Sequence, residues 1–600
     1  MPAASQPLPS RMIPFVPRSA ALEVPTKWKR APQVSAEDRA LAAQCDISPA
    51  VITILRGREY STPEEIGCYL HPDESCLHDP FTLPDIEPAL TRLHKAITTK
   101  EKILVFGDYD VDGITSAALL VRALKALKAN VECVIPERHD GYGLSTLAVE
   151  DAASRGVKLI FSADCGISAV EPAKRARELN VDLIISDHHE PAKTETGADI
   201  IPDAIAVIDP KREDSKYGFR ELSGCGVAFK ILMALLQRHW PQHASSFHDK
   251  FVELVGLAAV ADCVPLIDEN RFLAREGLRA LATTNKSGLK ALIQSSGLKI
   301  KNGMLTGRNV GFMLAPRLNA AGRVDSARKG LELLLSTDGI ECEALAEELE
   351  GLNKLRQEMT SRVMHEAFAR VYENSDLEKD AMIVVAGEGW PHGIIGLVAS
   401  RLVEKFARPT IVLGIEESGI AKGSGRSVEN FDLTNIIEST RDLTISGGGH
   451  AMACGLSLQA ENIEAFREQA IAAANAQLKV SDLARVVKAD CEIEGDDITP
   501  QLVRDLELLE PCGVGNPSAT LLLKNAVLVS GKSIGKESQH LKWSLRAGGR
   551  SYEAVWWSPG EAANGFVPGC KVDICFVPEF NEWNGNVTVQ FLLKAARRSA

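Results

Sequence analysis

No two of the thirteen cysteines in this 600-residue chain stand in a CxxC spacing. That absence argues against a zinc ribbon and a thioredoxin-like motif, and the scatter of the thiols argues against a secreted disulfide scaffold. Apolar runs long enough to cross a bilayer are missing too, so no membrane span is expected. The first 22 residues contain no Asp or Glu, yet Pro2, Pro7, Pro9, Pro14 and Pro17 forbid an amphipathic transit helix, and no continuous apolar stretch marks an export signal. A disordered tail and a reducing, cytoplasmic setting are expected. Positive charge is also in deficit: 67 Lys and Arg face 80 Asp and Glu, a net charge of −13. Taken alone, that opposes a nucleic-acid partner, but binding depends on local basic patches rather than on the total.

What is present is ordinary globular composition, 45% hydrophobic and 24% charged, over a length that requires several domains. Residues 1–85 read as the tail followed by a short helical preface. From 86 to about 215, helix-like stretches such as Thr115–Lys128 and Ser168–Leu179 alternate with apolar runs at 102–107, 131–136, 158–163, 182–186 and 204–209. Alternating strands and helices predict right-handed crossovers and a mostly parallel sheet. Residues 224–335 turn helical, and 341–372 read as one long mixed-charge helix whose apolar stripe is core packing. A second, smaller α/β unit follows, with runs at 381–387 and 409–414 around a helix near Gly393–Lys405. From about 486 onward, short β-like runs predict a small β-barrel.

Chemistry concentrates where those strands end. In an open parallel sheet, ligands gather beyond the carboxyl ends of the strands. Asp108, Asp110 and Asp112 follow the first run, Asp164 the third, and Asp187, His188 and His189 the fourth, while Asp262 closes an apolar helical stretch. Any one such Asp is more often a helix cap or turn former. Four segments converging on one rim are harder to explain that way. Unpaired, the carboxylates repel and raise one another's pKa, a conflict that a cation or plain solvent would relieve. Carboxylate and imidazole without thiolate suit Mn²⁺ or Mg²⁺ better than structural zinc, and the donors suffice for two ions.

The motifs "DYDVDG" (108–113) and "DHH" (187–189) resemble the DHH phosphoesterase superfamily. With "SADCGIS", "GLAAVADCVPL", "LAPRLNAAGRV" (314–324), "GSGRS" (423–427), "GGGHAMACGLSL" (447–458) and "LEPCGVGNP" (509–517), the chain is similar to the RecJ family of single-strand-specific exonucleases, from about Lys27 to the C-terminus. The resemblance implies a DHH domain over 86–335, a linking helix over 336–375, a DHHA1 domain over 376–480 and an OB-fold over 486–600. It implies Asp108, Asp110, Asp112, Asp164, His188 and Asp262 as ligands of two divalent ions, His189 facing the scissile phosphate, and Asp187 orienting the histidines. Gly448, Gly449 and His450 would form a phosphate-contacting loop, Arg426 and Ser427 would hold backbone phosphates, and Arg317, Asn319 and Arg323 would line the same channel. One departure stands out. The family commonly has Trp-His-x-Gly where this chain has "WPHG" (390–393), which displaces His392 by one position.

The implied activity is 5′-to-3′ hydrolysis of single-stranded DNA to mononucleotides in repair and recombination, by a monomer supplied by a single-strand-binding protein and a helicase. Two alternatives remain at this level. One is an enzyme for short oligonucleotides or 3′-phosphoadenosine phosphate, against which the region 486–600 speaks. The other is a scaffold with a degenerate site, against which the intact acids speak. Trp543, Tyr552, Trp556, Trp557, Phe580 and Trp583 are candidates for stacking on bases, although alternation along "YEAVWW" should bury some of them.

Overall fold

The computed structural model describes residues 24–138, 141, 143–300, 303–535, 537–583 and 585–599. The tail expected over the first 22 residues lies outside them. Two compact units emerge, one formed by Lys29–Met359 with Val487–Ala600 and the other centred on Thr360–Val486.

The preface folds as three short helices, α1 (Ala36–Cys45), α2 (Pro49–Arg56) and α3 (Pro63–Leu70). Ser35 and Thr62 start α1 and α3 with reciprocal capping boxes, and Pro49 and Pro63 sit in first turns, where no N–H is needed. Five parallel strands then form one sheet: β1 (Lys102–Gly107), β2 (Asn130–Val134), β3 (Leu159–Ala163), β4 (Asp182–Ser186) and β5 (Ala206–Ile208). Their order is β2-β1-β3-β4-β5, so the chain reverses direction of travel between β1 and β3. That switch opens a crevice at the carboxyl ends of the two strands.

Both sheet faces are covered, which is why these strands are apolar throughout. Ile103, Val105, Leu159 and Phe161 face one core, built with helices α4 (Val111–Ala126), α5 (Gly224–His239) and α6 (Phe247–Ala261). Leu104, Phe106, Ile160, Leu183 and Ile185 face the other. Helix α4 begins four residues before the expected Thr115, because Asp110 caps it by accepting from Gly113 N at 3.1 Å. Further on come α7 (Ala315–Val324) and the long helix α8 (Gly339–Asn374).

The unit centred on Thr360–Val486 has a mixed sheet: β6 (Ile383–Glu388), β7 (Thr410–Ile415), β8 (Ile420–Arg426), β9 (Ser446–His450) and β10 (Ala453–Gln459), in the order β9-β10-β8-β7-β6. Only β6 and β7 are parallel, joined by α9 (His392–Phe406). Pro391 serves as N-cap of α9, and His392 is the first helical residue, so the displaced histidine opens a helix.

The C-terminal barrel comprises β11 (Leu521–Ile534), β12 (His540–Ala547), β13 (Arg550–Trp556), β14 (Lys571–Trp583) and β15 (Asn586–Arg598). It closes through the β11–β14 pairing, as in an OB-fold. Its core is not its own. Ile52, Ile54, Leu55, Ile66 and Leu70 of the preface share one apolar cluster with Leu521, Leu545, Phe576 and Phe591. Buried Arg271 ties this cluster to the parallel-sheet domain, donating to the carbonyls of Tyr69 at 2.7 Å, Leu508 at 3.0 Å and Leu509 at 3.1 Å.

Candidate metal centre and phosphate-binding strands

Each acid expected at the rim is held by a specific local device. Asp112, in the first turn of α4, accepts from Gly224 N at 2.6 Å and Cys225 N at 2.8 Å, at the positive end of α5. Asp164 leaves β3 in the left-handed region (φ 65°), a costly conformation for a residue with a Cβ, and its N–H is tied to Ser186 O at 3.0 Å. Gly224 must be glycine here, since a Cβ would stand 2.6 Å from Asp164 Oδ1. Asp187 N donates to Ile208 O at 3.1 Å, while its carboxylate accepts from Ile167 N at 2.8 Å and His188 N at 2.8 Å. Asp262 caps the C-terminus of α6.

These devices bring four chain segments to one point. His188 Nε2 lies 3.1 Å from Asp164 Oδ1, 3.6 Å from Asp262 Oδ2 and 3.7 Å from Asp112 Oδ2. Three overlapping triads result, Asp112–His188–Asp262, Asp164–His188–His189 and Asp108–Asp110–Asp164, each with its donor atoms within 4.8 Å of one another. His188 Nε2 and Asp108 Oδ1 are buried without a hydrogen-bond partner among the described residues. A dry pocket of converging carboxylates cannot stay ionised without a cation. Burial, then the neighbouring Asp110, pushes Asp108 up to about 7. Burial and Asp110 likewise push Asp262 to about 7, against the opposing charges of His189 and Lys211. Asp112 and Asp164 rise well above the ordinary carboxylate range, first through burial and then through the other acids. His188 falls to about 3, chiefly through burial, and so stays a neutral donor. The oxygen and imidazole donors, without thiolate, suit a hard divalent ion.

His189 behaves differently. Burial would lower it, but Asp187 Oδ1 at 2.7 Å from its Nδ1 prevails and lifts it to about 9. That shift favours its protonated form beside the carboxylates.

Two residues of the rim were not anticipated. Asp209 follows β5 as the other acids follow their strands, accepts from Lys211 N at 2.8 Å, and is pushed to about 8 by burial and then Asp187. Lys211 lies 3.7 Å from Glu221 and 3.8 Å from Glu190. The rule that found Asp164 would have found Asp209.

The outer candidates divide. Asn319 accepts from Val111 N at 3.2 Å, at the start of α4, and Arg323 is half-buried on the same helix, its charge acting on Tyr109. Arg317 corrects the expectation of a channel-lining cation: it is only 9% exposed and is committed to Glu350 at 2.8 Å and to backbone carbonyls. In the other unit, Arg426 and His450 both stand in register with Ala453 of β10, which aligns them across the sheet. Arg426 is half-buried and has no carboxylate partner among the described residues. Ser427 is buried, its hydroxyl donating to Phe431 O at 2.6 Å. Gly448, Gly449 and His450 belong to the exposed edge strand β9 rather than to a loop, because their pairing with β10 continues to the hairpin turn. In the barrel, Trp543, Tyr552 and Trp556 are core residues and Phe580 is half-buried, whereas Trp557 is exposed. The Trp583 side chain lies outside what the structure describes.

Residues 102–259 match the DHH family, N-terminal domain; residues 379–476 match the DHHA1 domain; residues 489–595 match the RecJ OB domain. The chain is 40% identical over 560 residues to the single-stranded-DNA-specific exonuclease RecJ of Bacillus subtilis, covering 93% of this chain and 69% of that one. It is 32% identical to the Escherichia coli protein of the same description over 535 residues, 85% of this chain and 90% of that one. The crystal structure of RecJ in complex with Mn²⁺ from Thermus thermophilus superposes with a TM-score of 0.81 at 28% identity, over 96% of this chain and 80% of that one. Among the described residues, no helix is long and apolar enough to cross a membrane.

Proposed function

The chain belongs to the RecJ family of exonucleases, and from that premise we propose that it is a metal-dependent exonuclease that hydrolyses single-stranded DNA from the 5′ end and releases 5′-mononucleotides, in repair and recombination. One observation carries the reading: Asp112, Asp164 and Asp262 meet around His188 within 3.7 Å, at the switch point of a parallel sheet. Asp108, Asp110, Asp112, Asp164, His188 and Asp262 would hold two divalent ions, Mn²⁺ or Mg²⁺. Bound there, such ions neutralise the carboxylates, activate water and stabilise charge at phosphorus.

The chain's own groups do the rest. Gly224 N and Cys225 N fix the Asp112 carboxylate, so the donors are in place before substrate arrives. Asp187 aims His189 through its Nδ1, and the other ring nitrogen would donate to a non-bridging oxygen of the scissile phosphate as negative charge builds. Water adds to phosphorus and the P–O3′ bond breaks. The released nucleotide keeps its own 5′-phosphate, and the shortened strand carries a new one. Arg426, with Gly448, Gly449 and His450, takes backbone phosphates, glycine allowing the β9 backbone to approach an anion closely, whereas the expected role of Ser427 is set aside because its buried hydroxyl is committed to Phe431 O. On this reading 86–335 would serve hydrolysis, 376–480 phosphate contact and 486–600 the strand.

The test uses one oligonucleotide labelled at either end, with Mn²⁺, Mg²⁺ or chelator, beside the blunt duplex. Immediate metal-dependent release of a mononucleotide from the 5′ label, with the duplex spared, is the expected result. Tight binding without cleavage under every metal condition would overturn it.

A further inference from the structure

At 78% exposure, Phe312 is the most exposed Phe, Tyr or Trp among the described residues. Its surroundings are not those of a stray surface aromatic. It sits at the middle of a π-helical turn, Val310–Leu314, entered from the Thr306-capped turn Gly307–Asn309 and running directly into α7. Such widened turns are rare and gather at functional sites. Val310 and Leu314 are wholly buried, so the turn is anchored at both ends while the Phe312 ring is left in water.

The same segment runs past the acidic rim. A Cβ at Gly311 would lie 3.9 Å from Val260 Cγ1, two residues before Asp262. Farther along, Asn319 accepts from Val111 N at 3.2 Å, and Gly322 is so close to Tyr109 that a Cβ would come within 2.7 Å of its carbonyl oxygen. One helical stretch thus touches both the helix end bearing Asp262 and the turn bearing Asp110. Arg308, four residues before Phe312, is exposed as well.

We propose that Phe312 is a stacking platform for a nucleobase of the incoming single strand. The inference rests on the exonuclease reading above and adds a substrate contact to it. Every base has a π-face, so the platform is indifferent to sequence, whereas a base inside a duplex has its faces already covered. The platform therefore favours single strands independently of steric exclusion.

Cleavage by the full-length protein with Mn²⁺ tests this, comparing wild type, Phe312→Ala and Phe312→Tyr on strands carrying one abasic site at successive positions. Phe312→Ala should raise KM about tenfold, and Phe312→Tyr should stay within about twofold of wild type. Wild type should also show a KM penalty at one abasic position that Phe312→Ala does not show, because ring and base are then lost as one contact. An unchanged KM in Phe312→Ala, or the same abasic penalty in both proteins, would overturn the platform. Wild-type protein that cleaves no single strand would instead overturn the exonuclease reading, and the two failures are told apart by that control.

Discussion

Two sets of aspartates in this molecule are withdrawn from water to differing degrees and behave in opposite ways. Asp38 in the preface accepts from Ser35 N at 2.9 Å, Thr53 Oγ1 at 2.9 Å and Arg56 Nη1 at 2.8 Å. Asp573 in the barrel accepts from Ser599 Oγ at 2.7 Å, Arg597 Nε at 3.1 Å and Asn525 N at 3.2 Å. Burial alone would raise both, yet these donors hold both below the ordinary carboxylate range. Asp108, Asp112, Asp164 and Asp262 have acids for neighbours, and all four are pushed up. Burial therefore does not separate a structural acid from a functional one. The neighbours bear on it as well: Asp38 and Asp573 meet cationic and hydroxyl donors, whereas the rim acids are crowded by one another.

The contrast can be broken most severely at Asp164. Asp164→Ala should cost roughly a thousandfold or more in cleavage, the several kcal/mol that charge stabilisation by bound ions supplies, while Asp573→Ala should leave turnover nearly intact. Comparable losses in the two variants would erase the distinction. Next comes the response to Mn²⁺. At a hundred times its Kd, Mn²⁺ should stabilise the wild-type chain by about 2.7 kcal/mol in thermal melts, and Asp164→Ala should show much less. Hydrogen exchange should slow in 105–120 and 187–189 but not in β9; protection spread evenly through both units would argue against a localised site.

Acidity sharpens the comparison further, because the two sets have opposite signs. In chelator, Asp108 and Asp262 keep their protons up to about 7 when folded but only to about 3.8 when unfolded, so their contribution to stability falls as pH rises between those values. Mn²⁺ should cancel that fall, widening the melting-temperature gap between metal and chelator from pH 4 to 7. Asp38 works the other way: its contribution is complete above 3.8 and is lost as pH drops through its lower folded value. Asp38→Ala should cost about 1–3 kcal/mol at neutral pH and remove that acid limb. Smallest is Gly448→Ala. No atom lies within 4 Å of where its Cβ would go, so a roughly threefold rise in KM without loss of stability would report a blocked phosphate.

The rhythm of apolar run followed by acid makes the rim readable in advance, because β1, β3 and β4 are short, buried on both faces and punctuated by charge. Asp209 obeys the same rhythm and escapes notice only because β5 is three residues long and its acid stands alone. The glycine run at 447–449 reads as a loop because glycine is poor in strands; only its pairing partner, β10, makes it an edge strand. Arg317 looks available because nothing local announces Glu350, 33 positions later. The left-handed Asp164 is set by tertiary packing and has no local signature. Phe312 lies in a segment whose arginines and asparagine draw attention away from it.

The core shared by the two ends of the chain has a consequence for synthesis. Ile52 and Ile54 leave the ribosome about 520 residues before Phe576 and Phe591, which complete their cluster. At typical translation rates of about 5–20 residues per second, the preface waits roughly half a minute to two minutes for its partner strands. Until the barrel closes, the apolar faces of α2 and α3 are open to any chaperone that captures exposed hydrophobic surface. The barrel thus arrives long after the preface whose core it completes, and a chain cut short before Leu521 never acquires it.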